Sequence, residues 1–173
     1  MPTGSGTNRS CATTRLRGMT TRVSHPPPLA TYPNHDGYDQ LVMALAIPVQ
    51  RLCEQHRMPV AAAAHIGYLP AGLMLDCATL GQLVEFFAAR PEAQADLTRQ
   101  IAEHLDAHLS PHGVGVLVET EQSCGAPDSG SAVAPVAITS ALLGQLRTVP
   151  GWRREFFALT RHGRSWITPK GRQ

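Results

Sequence analysis

A chain of 173 residues that is 43% hydrophobic, with a net charge of +2 and a sequence pI near 8.5, fits one globular domain with a real core. That charge is too mild to argue for nucleic acid or an anionic membrane as partner. No apolar run nears the length of a spanning helix and no basic-apolar-small leader opens the chain, so a cytoplasmic protein with no membrane partner is expected.

In chain order, residues 1–37 are rich in Thr, Ser, Arg, Pro and Gly and lack periodicity, which predicts a disordered N-terminal arm. Residues 38–49 read as a strand that Pro48 confines to an edge or a bend. Residues 59–68 read as a second strand, followed by a turn at Leu69-Pro70-Ala71-Gly72. A helix is predicted over 78–89, where Leu80, Leu83, Val84, Phe86 and Phe87 share a face. A second is predicted over 91–109, opened by Pro91, with Leu97, Ile101, Leu105 and Leu109 at spacing four. Residues 114–120 are the clearest strand, residues 125–134 look like loop, and residues 139–146 look helical with Thr139 or Ser140 as N-cap. A last helix is expected over 152–161, and residues 163–173 form a tail. The pattern predicts an α+β domain of antiparallel hairpins with helices on one face, and its sheet edges favour an oligomer.

Four widely spaced cysteines, Cys11, Cys53, Cys77 and Cys124, point to thiols or metal ligands rather than to a disulfide framework. Cys53 and His56 stand three residues apart, a spacing from which two soft ligands can reach one Zn²⁺. The plainer reading makes Cys53 and Cys124 core thiols and His56 a strand-end histidine. Cys77 reads as an inert buried thiol because no neighbouring cation would lower its pKa. His65 reads as a core histidine, and His104, His108 and His112 read as a solvated face rather than a second metal patch.

Several segments in order carry a family likeness: Cys53-Glu54-Gln55-His56, His65-Ile66-Gly67-Tyr68-Leu69-Pro70, the stretch 86–94, Leu97-Thr98-Arg99-Gln100-Ile101, Val114-Gly115-Val116, Cys124, Thr139-Ser140-Ala141-Leu142-Leu143-Gly144 and Glu155-Phe156-Phe157. Over residues 38–162 the chain resembles GTP cyclohydrolase I. The resemblance implies the tunnelling fold, an antiparallel sheet with two helices on one face, in subunits that join into rings with active sites between neighbours. The helical region that normally precedes this domain looks replaced by the short arm. The resemblance also implies a zinc site on Cys53, His56 and Cys124, with an open position for water or substrate. Glu54 follows the first ligand, as in the family, and would position a neighbour or bind substrate.

The departures from the family pattern carry as much weight. Gln55 and Gln122 stand where the family has proton-transferring histidines, and glutamine carries no proton near neutral pH. Ala78, Thr79 and Gln82 replace a serine, a lysine and an arginine that contact triphosphate, and Asp128 replaces a further arginine. Each charge-assisted bond lost is worth roughly 1.5 to 3 kcal/mol. Ala95 replaces the glutamate that recognises guanine, while the preceding glutamine remains as Gln94. The expectation is a repurposed zinc enzyme of specialised metabolism, with an unphosphorylated or less anionic nitrogen heterocycle as its small-molecule partner and itself as oligomeric partner. Gln55, Gln122 and Asp128 would be catalytic, with Gln94, Glu54 and Cys77 near the substrate. The competing readings are a noncatalytic zinc-stabilised regulatory protein and an ordinary GTP cyclohydrolase I.

Overall fold

A computed structural model of the chain describes residues 25–53, 58–90, 92–121 and 136–164. Strands β1 (Thr31–Pro33), β2 (Val42–Leu52), β3 (Pro59–Leu69) and β4 (Leu73–Leu75) come first, then helices α1 (Cys77–Ala88) and α2 (Gln94–Leu109). Strands β5 (Gly113–Glu121) and β6 (Val136–Gly144) and helices α3 (Gln145–Thr148) and α4 (Pro150–Arg164) complete the order. The main sheet runs β2-β3-β5-β6 with every pair antiparallel, and β1 pairs with β4 in a small second sheet.

Side-chain alternation along the strands divides the protein into two layers of core. Ile66 and Tyr68 of β3 and Val114, Val116 and Val118 of β5 pack with Leu80, Leu83 and Val84 of α1 and Leu97, Ile101 and Leu105 of α2. The other face carries Leu69 and Leu117, and α4 covers it with Phe156. Thus α1 and α2 lie on one face, as expected of the tunnelling fold, and the final helix lies on the opposite one.

Pro48 sits in β2, an edge strand of the sheet, opposite Ala63 of β3. The register of β2 slips between Ala44 and Ile47, and Ala46 adopts φ 55°, a left-handed conformation that marks a bulge.

Three expectations are corrected. Residues 139–146 are not a helix: β6 pairs with β5 from Gly113↔Gly144 to Glu121↔Val136, and only Gln145–Thr148 turn helical. A full ladder, with the hydroxyls of Thr98 and Thr139 2.6 Å apart, outweighs the local helix preference of Ala141-Leu142-Leu143. Helix α2 opens at Gln94 rather than at Pro91, because Ala93 is extended (ψ 145°) and supplies the N-cap position. The segment read as an irregular arm contains β1, whose pairing with Leu73–Leu75 turns residues 31–33 into a strand. Asn34 secures the same corner by donating to the Tyr38 and Ala71 carbonyls.

Candidate functional site

Cys53 lies just beyond the end of β2, and its N–H donates to the Met58 carbonyl at 2.8 Å, closing the hairpin into β3. Its side chain is half-buried. Glu54, Gln55 and His56 stand between these two residues in the sequence and lie outside the described residues, as do Gln122, Cys124 and Asp128. Chain connectivity still bears on the metal. Only four residues separate Cys53 from Met58, and β5, antiparallel to β3, reaches Glu121 at the sheet end where this hairpin turns. A pair of thiolates with an imidazole is in general a soft donor set that suits Zn²⁺. Among the described residues no three metal-ligating side chains cluster.

Beside this hairpin the sheet carries a buried cation that sequence reasoning missed. Arg51, 8% exposed, donates from Nη1 to Gln94 Oε1 at 3.2 Å and from Nη2 to the Glu92 carbonyl at 2.7 Å. The Gln94 amide donates in turn to the carbonyls of Val118 (2.8 Å) and Ala137 (3.2 Å). Gln94 therefore ties α2 to β2, β5 and β6, and its oxygen keeps one lone pair for any other donor. No local pattern marks Arg51, because its partners stand about forty residues away in the chain.

The start of α1 is the second element of the site. Asp76 is its N-cap, with the carboxylate accepting from Ala78 N–H at 3.1 Å. The buried Thr79 hydroxyl donates to the Asp76 carbonyl at 2.8 Å, while Cys77, Ala78 and Gln82 are exposed. Cys77 was read as a buried thiol; it lies at the surface because it opens the helix beside its cap. α1 has no basic residue in its last turn and no acidic one in its first, so the Asp76 carboxylate alone sets the charge at its N-terminus. Close by, Tyr68 accepts from Leu75 N–H at 2.9 Å, and burial pushes its phenol above the ordinary value despite that bond.

His65 is fully buried in β3; its Nδ1 accepts from Ala46 N–H at the bulge (3.3 Å) and its Nε2 stands 3.8 Å from Glu119 Oε1. His104 and His108 stack with ring centroids 3.9 Å apart, while His112 lies past the helix end and donates its N–H to Leu69. Burial first, and His108 second, lower the His104 pKa.

A four-stranded antiparallel sheet with two helices inserted between its strands and packed on one face defines a tunnelling-fold protein. A crystal structure of the archaeosine synthase QueF-Like in its apo form superposes with a TM-score of 0.51 at 17% identity, over 60% of this chain and 93% of that one. The sequence model of GTP cyclohydrolase I matches residues 10–161. The GTP cyclohydrolase 1 of Nitrosospira multiformis is 40% identical over 124 residues, 72% of this chain and 65% of that protein. The GTP cyclohydrolase 1 of Streptomyces griseus is 40% identical over 125 residues, 71% of this chain and 62% of that one. The chain belongs to the GTP cyclohydrolase I family, and it spans less than two thirds of the length of these relatives.

Proposed function

We propose that this protein is a zinc-dependent, cyclohydrolase-like enzyme whose substrate is a nitrogen heterocycle without a triphosphate. The observation that carries this reading is the Asp76 carboxylate on the N-terminus of α1. A free helix N-terminus attracts phosphate through its unpaired N–H groups and positive dipole end. Here a carboxylate already takes the Ala78 N–H, and Ala78, Thr79 and Gln82 add no cation. An incoming triphosphate would meet like charge where the family pattern places its contacts.

Cys53, His56 and Cys124 would hold the zinc, which supplies Lewis acidity at an open coordination position. Gln55 and Gln122 would orient the heterocycle by donating and accepting hydrogen bonds without moving a proton. Asp128 would pair with a cationic substrate group or take a proton from it. Gln94, held by Arg51, would offer its remaining lone pair to a substrate N–H, with Glu54 and Cys77 nearby. Homo-oligomeric rings, with sites between neighbouring subunits, belong to the same proposal.

The test combines metal analysis of the purified protein, a thermal-shift screen and a turnover assay. About one zinc per chain, stabilisation by guanine, a pterin or an aminopyrimidine, and no formate from GTP are expected. Release of formate and dihydroneopterin triphosphate from GTP would restore the ordinary family activity. Zinc without binding of any heterocycle would favour the noncatalytic reading.

A further inference from the structure

On the face of the sheet opposite α1 and α2, a cavity of about 720 Å³ opens between α4 and strands β5 and β6. Its floor is Leu117 and Ile138, and α4 contributes Phe157 with Arg153, Arg154 and Arg161. The cavity exists because of how α4 is seated. Phe156 anchors the helix over Gly67 and Gly115, and Leu142 and Leu146 extend the packing there. Farther along the strands the helix no longer covers the sheet, and Ile138, paired with Glu119 at that end, is left 47% exposed. An exposed isoleucine beside a half-buried phenylalanine is an apolar surface that no described residue covers.

Among the described lining residues the charge of the same cavity has one sign. Arg154, Phe157 and Arg161 stand at helical spacing i, i+3 and i+7, and Arg153, Phe157 and Arg161 at spacing four, so the guanidinium groups rim the apolar floor. None of the three arginines makes an ion pair among the described residues. Glu119, two residues beyond Leu117 in β5, lies 3.8 Å from His65 Nε2. Unpaired guanidinium groups over an apolar floor attract an oxyanion strongly, because the low-dielectric wall screens the charge less than water does. The volume is that of a small-molecule site, which commonly falls between roughly 300 and 1,000 Å³.

We propose that this cavity binds a small amphipathic oxyanion: a flat aromatic body on Leu117, Ile138 and Phe157, with one carboxylate or phosphate on the arginines. The site lies on the other face of the sheet from Asp76 and α1, so it stands or falls independently of the zinc chemistry.

The test is a fluorescence titration of the full-length protein with 8-anilinonaphthalene-1-sulfonate, an aromatic anion, with biphenyl-4-carboxylate, biphenyl-4-yl phosphate and neutral biphenyl-4-methanol as competitors. Saturable binding, weakened at least tenfold in R154Q/R161Q and unchanged in R99Q, is expected; Arg99 is an exposed arginine of α2. Unchanged circular dichroism of R154Q/R161Q would tie the loss to the site, since both side chains are exposed. Displacement by either charged competitor but not by the neutral alcohol supports the proposal, and the better competitor names the head group. Absence of saturable binding, equal affinity of R154Q/R161Q, or equal displacement by the neutral alcohol would overturn it.

Discussion

Gly67 and Gly115 are register partners across β3 and β5, and the Phe156 ring lies against both. A Cβ at Gly67 would come within 2.9 Å of Phe156 Cδ2, and one at Gly115 within 2.8 Å of Phe156 Cε2. The two glycines thus form the seat of α4 on the sheet, and the fully buried Phe156 ring has no room to withdraw. Gly115→Ala is expected to destabilise the protein by about 1 to 3 kcal/mol through overpacking. Phe156→Ala, which leaves a cavity instead, should cost about 3 to 5 kcal/mol. Denaturant titrations at one fixed protein concentration measure both, and a neutral Gly115→Ala would show that α4 is not seated this way.

Arg51→Leu strands the Gln94 oxygen and the Glu92 carbonyl that the guanidinium serves. A loss of roughly 2 to 4 kcal/mol is expected, since two charge-assisted bonds go and buried acceptors remain. Arg51→Lys should recover only part of it, because one ammonium group cannot reproduce the two-pronged contact. Equal stability of the Lys and Arg proteins, read from urea midpoints, would argue that the fork is unimportant.

Asp76→Ser keeps an N-cap acceptor and removes the charge, whereas Asp76→Ala removes both. The serine protein should keep its thermal midpoint while the alanine protein loses about 1 kcal/mol. Inorganic tripolyphosphate should bind more tightly to Asp76→Ser than to the unaltered protein if the carboxylate repels anions at α1. Identical tripolyphosphate affinities, measured by calorimetry, would remove the main support for an unphosphorylated substrate.

His104 has a lowered pKa in the folded state, burial being the larger cause and His108 the smaller. Between that depressed value and the ordinary value of about 6.5, the unfolded chain binds more protons than the folded one, so stability rises with pH across that window. Below the window the contribution is lost. His104→Gln should flatten this part of the stability profile, and an unchanged slope of denaturation midpoint against pH would contradict the assignment.

Zinc removal is a fifth perturbation of stability. If Cys53 is a ligand, a strong chelator should lower the thermal midpoint of the unaltered protein and leave Cys53→Ser unaffected, because binding energy at such a site is folding energy. A chelator that shifts both proteins equally would place any bound metal elsewhere.

Much of the scaffold is legible in the residues one after another. The four-residue spacing of Leu97, Ile101, Leu105 and Leu109 fixes α2 as an amphipathic helix, and all four are buried as that spacing requires. The alternation of Val114, Val116 and Val118 likewise fixes β5. Cys53 and His56 declare a metal spacing without any tertiary knowledge. The helix and strand signals survive because each is written within one or two turns of chain, where covalent geometry alone decides which side chains share a face.

Other features needed partners distant in sequence. Val136–Gly144 contains an Ala-Leu-Leu run that fits a helix, and only the ladder to β5 makes it a strand. Thr31–Pro33 carries no periodicity and becomes a strand because β4 presents a free edge. Arg51 and Gln94 meet across a separation of 43 residues, as do Gly67 and Gly115 across 48 with Phe156 above them. In each case the decisive energy is a hydrogen bond or a close contact between elements. Local propensity, worth up to about 1 kcal/mol per residue, cannot foretell those contacts, and it yields when they form.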